Sequence, residues 1–151
     1  MPNHCETDLY ISGPKEEIDR MFELVGLDNK EDPKFDFSKI IPFPDHMQNG
    51  YEWCVANWGT KWNAYDVLFR NYDNHIIVTF QTPWRPPIPV LLRLHVLFPL
   101  LTFNVEYFEH GVECAGGFTL YSKLEHYEDT EWKVGVKTHE WEAKYKGCRG
   151  G

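Results

Sequence analysis

Basic residues are scarce in this sequence. Fifteen Lys and Arg stand against 23 Asp and Glu, a formal net charge of -8 over 151 residues. Phosphate binding draws on clustered cations that release counterions, so a direct nucleic-acid clamp is not expected. Long apolar runs are missing too. The longest, Ile88 to Leu101, is interrupted by Pro89, Arg93, His95 and Pro99. A spanning helix takes about 20 apolar residues, so no membrane contact is expected. Met1 to Glu6 show neither the charged nor the apolar region that opens a signal peptide. Cys5, Cys54, Cys114 and Cys148 lie far apart with no C-x-x-C pair. That spacing excludes a zinc knuckle or thioredoxin-type motif and reads as reduced thiols in a cytoplasmic protein. No nucleophile elbow, phosphate loop, paired His-x-x-x-His or Gly-rich dinucleotide turn occurs. No catalytic residue and no cofactor are expected.

Aromatic residues, by contrast, abound. Six Trp, eight Tyr and ten Phe supply a core for a chain that buries roughly 68–70% of its unfolded surface. One domain is expected over residues 1–137, followed by a polar tail over 138–151.

Asp8 to Ser12 is a short β-prone run ending at Gly13-Pro14. Pro14 suits a first helical turn, with Ser12 as its cap. Ile18, Met21, Phe22 and Val25 then recur at i, i+3, i+4 and i+7, and Gly26 closes that stripe. Phe35-Asp36-Phe37 alternates into Ile40-Ile41-Pro42-Phe43-Pro44, which reads as a strand ending in a proline corner. Tyr51 to Trp58 is rich in aromatics, and Gly59 punctuates it. Trp62–Phe69 and His75–Thr82 flank the turn Asn71–Asn74, which predicts an antiparallel hairpin. Prolines crowd the start of Val90–Phe98 and Pro99 stops it, the order of a helix. Its body is apolar nearly all round, so burial against the sheet is expected. Asn104–Glu109 and Glu113–Tyr121 read as strands joined by His110-Gly111, and Trp132, Val134 and Val136 as a further edge strand. Phe80 and Leu92 are expected in the core.

The order is strand, helix, strand, hairpin, helix, then two or three strands. It predicts an α+β, ferredoxin-like (split βαβ) antiparallel sheet with two helices on one face and a C-terminal extension. Such an architecture carries no function of its own.

Three stretches also carry a family look: Ile40–Pro44, Asn57-Trp58-Gly59-Thr60-Lys61-Trp62-Asn63-Ala64, and Thr82-Pro83-Trp84-Arg85-Pro86-Pro87-Ile88-Pro89 with Phe98-Pro99. Together with Tyr107, Gly111 and Gly116 they resemble the YubB-type ferredoxin-like domain family of bacterial plasmids and phages, over roughly residues 5 to 123. The resemblance implies an accessory role on a mobile element and offers no catalytic residue to carry over.

Among candidate sites, Trp58, Lys61 and Trp62 suit a recognition hairpin, because tryptophans give large rigid contact area. Against this, Gly59 permits a bend that folds both tryptophans back onto the core. Glu106, Glu109, His110, Glu113 and Cys114 make the best metal-like group, yet a Glu-rich hairpin tip is ordinarily solvated, and no metal is expected. The acidic stretches Asp28–Asp36 and Glu125–Glu131, with Glu125, Glu128, Asp129 and Glu131 facing solvent, serve solubility. Alternatively, as the resemblance implies, they imitate nucleic-acid phosphates. The function expected is non-enzymatic binding of a host protein, in its sharper form one with a basic nucleic-acid-binding groove. The alternative is a small-molecule or nucleotide-binding enzyme with a pocket around Trp84, Arg85 and His95.

Overall fold

A computed structural model describes residues 3–46, 50–72, 75–111 and 114–123. Five strands form one antiparallel sheet in the order β2-β3-β1-β4-β5. In chain order they are β1 (His4–Ser12), β2 (Tyr65–Asn71), β3 (Ile76–Pro83), β4 (Thr102–Glu109) and β5 (Cys114–Leu120). The helices are α1 (Lys15–Val25), α2 (Gly50–Asn57) and α3 (Ile88–Leu97), with a 3₁₀ turn at Phe37–Lys39. This is the expected α+β arrangement with one more helix than the sequence suggested.

Strand alternation decides which face is dry, because successive side chains leave a strand on opposite sides. In β1, Cys5, Leu9 and Ile11 are buried, while Glu6, Asp8 and Tyr10 are only partly covered. Thr7 lies in register with Phe80 on β3 and Tyr107 on β4. The same face of the sheet therefore carries Val78, Phe80, Phe103 and Val105. It meets Ile18, Met21 and Val25 of α1, Cys54 of α2, and Val90, Leu91 and Leu94 of α3 in one core. Among the described residues no helix lies on the opposite face.

The α1 stripe forms as read, and Gly26 ends it in the left-handed conformation, its N–H donating to the Phe22 carbonyl at 3.0 Å. Ser12 is not the cap. It stays in β1, and Pro14 occupies the cap position without a side-chain hydrogen bond. The expected strand over Phe35–Phe43 is also absent. Asp36 accepts the Ser38 N–H at 3.0 Å, the Ser38 hydroxyl at 2.7 Å and the Asn63 amide at 2.9 Å. These bonds curl the chain into a turn, with Phe35 and Phe37 buried on either side. Burial raises the Asp36 pKa, but the hydrogen bonds from Ser38 and Asn63 and the nearby Lys39 outweigh it and hold the carboxyl below its usual value.

The helix α3 is one-sided rather than buried all round. Val90, Leu91, Leu94 and His95 are buried, whereas Val96 is 63% exposed. Phe80 is fully buried, and Leu92 packs against the core only in part. The predicted hairpin is β2–β3, with a bulge between Tyr65 and Leu68 where Asp66 adopts φ 51°. The segment Trp132–Val136 lies outside the described residues.

Candidate interaction surfaces

The stretch Asn57–Asn63 is not a hairpin. It is the end of α2 and the turn that follows, and it sends its two tryptophans to different places. Trp58 is 4% exposed. Its Nε1–H donates to the Ile41 carbonyl at 3.0 Å, and its ring meets Phe37 and Trp53 edge-on. Trp58 is thereby a core residue and not a contact residue. Trp62 is 42% exposed, so of the two tryptophans only this one is offered to solvent.

Two features fix the turn. Gly59 has φ 78°, and a Cβ there would lie 2.7 Å from Pro89 Cδ at the start of α3. Only glycine combines that backbone with that approach. The Thr60 hydroxyl donates to the Pro83 carbonyl at the end of β3, at 2.8 Å. Lys61 is then held with its ammonium 4.9 Å from the centre of the Trp84 ring and 5.5 Å from that of Tyr51. Those are cation–π distances. Among the described residues no carboxylate pairs with Lys61.

Trp84 itself is unusual. It has φ 68°, a conformation that costs a bulky residue about 1–3 kcal/mol. Its N–H donates to the Asn3 carbonyl at 2.9 Å, and the Thr82 hydroxyl donates to the Arg85 carbonyl. Its indole Nε1 is buried and has no partner among the described residues. Around this corner Tyr51 and Val55, one helical turn apart on α2, are exposed, as is Ile88 at the start of α3. The sequence signals for this patch were Trp62 and Lys61. Tyr51 and Val55 went unnoticed because α2 itself was not foreseen, and Ile88 was read only as part of the proline-rich opening of α3.

The second surface lies on the open face of the sheet. Asp8 pairs with Glu106 across β1 and β4, and Glu6 lies on the same face as Asp8. With Tyr107, Phe108, His110 and Ala115 they line a hollow of ≈ 410 Å³. The Thr79 hydroxyl donates to Asp8 Oδ1 at 2.7 Å. Partial burial and then the charges of Glu106 and Asp8 push the Tyr10 phenol above its usual value.

The described members of the metal-like group part company. Glu106 and His110 share the hollow, but Glu109 turns to the buried side and accepts the Gly111 N–H at 2.9 Å. Among the described residues no set of three ligating side chains could hold an ion, and Glu113 lies outside them. Trp84 and His95, named together for an enzyme pocket, lie apart. Trp84 follows Pro83, which pairs with His4, whereas the His95 ring abuts Phe103, which pairs with Ile11. Seven residues of extended strand separate those rows, roughly 23 Å. His95 Nε2–H donates to the Tyr121 carbonyl at 2.9 Å, and burial lowers its pKa. It is a hydrogen-bonded core residue. Cys5 is fully buried, and burial and then Glu109 push its thiol up to about 12, away from the reactive thiolate.

Of the acidic stretches, Asp28–Asp36 contains Lys30 and Lys34, and Lys34 pairs with Asp32 at 3.3 Å. Asp36 is spent on the turn. Glu125, Glu128, Asp129 and Glu131 lie outside the described residues.

Sheet order and helices gathered on one face define a ferredoxin-like α+β domain. More particularly, residues 57–148 match the family described as the ferredoxin-like domain in Api92-like protein. That is more than half of the chain, which belongs to this family. The fold is also similar to the crystal structure of a protein Api92 from Yersinia pseudotuberculosis. The TM-score is 0.63 at 10% identity, with 83% of this chain and 96% of that one covered. At that identity the likeness speaks for the fold alone. No curated protein matches the chain. No helix of the described residues is long and apolar enough to cross a membrane.

Proposed function

We propose that this chain is a non-enzymatic binding protein that docks another protein through the corner formed by Tyr51, Val55, Lys61, Trp62 and Ile88. The observation that carries the reading is the division of labour between the two tryptophans. Trp58 anchors the turn in the core, and Trp62 is left 42% exposed beside a ring-held lysine. Exposed aromatics on a rigid support are what the centre of a protein interface uses, since little entropy is lost on ordering them. The test is capture by immobilised protein from a nuclease-treated bacterial lysate, repeated with the double substitution Tyr51→Ala, Trp62→Ala. A partner held by the parent chain, lost with the variant at an unchanged melting temperature, and rebuilt from purified components is the expected result. Equal capture by both chains overturns it.

The YubB-type likeness of Asn57–Ala64 and Thr82–Pro89 adds a setting to this proposal. It suggests an accessory protein of a phage or plasmid acting on a host protein in the cytoplasm, with inhibition of host defence, anti-CRISPR activity included, as one form.

A second reading is favoured by the open face. Glu6, Asp8 and Glu106 stand close together there, so the part of a phosphate mimic falls to the sheet more readily than to Asp28–Asp36. A partner with a basic groove would meet this face. Charge pairing of that kind acts mainly on association rate and weakens with salt. The triple substitution Glu6→Lys, Asp8→Lys, Glu106→Lys should slow association across a salt series. An unchanged rate removes the mimic.

A further inference from the structure

We infer that the segment docked at the Tyr51–Trp62 corner is a protein segment with a carboxylate next to an apolar side chain. This rests on the reading of that corner as a docking site. The carboxylate meets Lys61 Nζ, and the apolar side chain lies across Trp62, Val55 and Ile88.

The argument starts from the ammonium. It carries three N–H donors; it faces two rings at 4.9 and 5.5 Å, and among the described residues no carboxylate pairs with it. Ring faces stabilise the charge without accepting directed hydrogen bonds, so neither ring satisfies those donors. The rings also hold the side chain in place before any partner arrives, which reduces the entropy lost on binding. A charge-assisted hydrogen bond from such a donor is about twice as strong as a neutral one.

The apolar half follows from exposure. Tyr51, whose ring faces that cation, Val55 one turn along α2, Trp62 next to Lys61 in the chain and Ile88 at the start of α3 are 38–50% exposed. A side chain that covers them also excludes water from the ion pair. A polyanion fits less well. The chain carries a net charge of -8, and a strand of phosphates extends beyond the reach of one lysine into that repulsive field. A single carboxylate flanked by apolar groups needs only local attraction.

The experiment pans the full-length chain against a random-peptide phage library and measures enriched peptides by fluorescence anisotropy. Enriched peptides should place Asp or Glu beside Leu, Ile or an aromatic residue. Trp62→Ala should weaken them by about tenfold or more, as loss of an interface anchor does. Lys61→Glu should abolish the acidic preference and select Lys or Arg instead. Peptides that need Trp62 yet ignore Lys61, or that lack acids, overturn this inference and leave the docking site standing. Peptides indifferent to both substitutions, or no enrichment, overturn both. An oligo-dT strand that binds more tightly than the peptides and is released by Lys61→Glu would assign the corner to nucleic acid instead.

Discussion

The two exposed regions of this domain are built in opposite ways. At the α2–α3 corner the Lys61 ammonium faces two rings, with exposed apolar side chains nearby. On the open sheet face three carboxylates come together by strand register. The first arrangement is held by core packing from behind, because Trp58 and Gly59 fix where Lys61 and Trp62 stand. The second follows from β1 and β4 running side by side, so it persists as long as the sheet does. The corner is therefore suited to shape-dependent, long-lived contacts, whereas the sheet face is suited to steering that salt can switch off.

The contrast can be broken most forcefully at Trp58. Trp58→Ala should cost about 3–5 kcal/mol, as the loss of a buried aromatic does. Trp62→Ala should stay within about 0.5 kcal/mol. Urea midpoints for the pair measure the difference, and equal losses would put both tryptophans in the core. Next comes the turn. Gly59→Ala adds a Cβ 2.7 Å from Pro89 Cδ at φ 78°, so a loss of about 1–3 kcal/mol is expected. A neutral result would mean that the corner adapts and is not preset.

The sheet face should behave the other way. Glu106→Gln removes one of two like charges directly opposite each other and should stabilise the fold by about 0.2–1 kcal/mol at low ionic strength. The gain should vanish in high salt. The smallest effect lies at Tyr10. Its phenol is raised from the ordinary value of 10.0, so the folded chain holds that proton more tightly than the unfolded one. Stability should then fall as pH rises past about 10. In Glu106→Gln the phenolate absorbance should titrate at lower pH, and an unmoved curve would deny that the two groups interact.

Much of the architecture was legible in the sequence. The stripe Ile18, Met21, Phe22, Val25 and the alternation in His75–Thr82 are local patterns that burial then exploits. Two elements were hidden for physical reasons. Phe35–Phe43 alternates like a strand, but its form is decided by Asn63, distant in sequence, whose amide reaches Asp36 and whose oxygen accepts the Phe37 N–H at 3.0 Å. The short helix α2 has no single apolar stripe, because Trp53 and Cys54 turn inward while Tyr51 and Val55 turn out. The same property that hid the helix makes it half of a contact surface. For the site, Lys61 and Trp62 were visible as composition. That Glu6, Asp8 and Glu106 cluster was not, since about a hundred residues separate Asp8 from Glu106 and only register unites them.

The bulge in β2 bears on how such a chain survives in a crowded cell. An outer strand with a straight row of unsatisfied N–H and C=O groups recruits other strands, including those of newly made copies. Here the extra residue at Asp66, with its φ of 51°, interrupts that row after Tyr65. A foreign strand could match one half of the row but then falls out of step with the other half. An edge interrupted in this way is a poorer template for strand addition, and the cost is one backbone turn at positive φ.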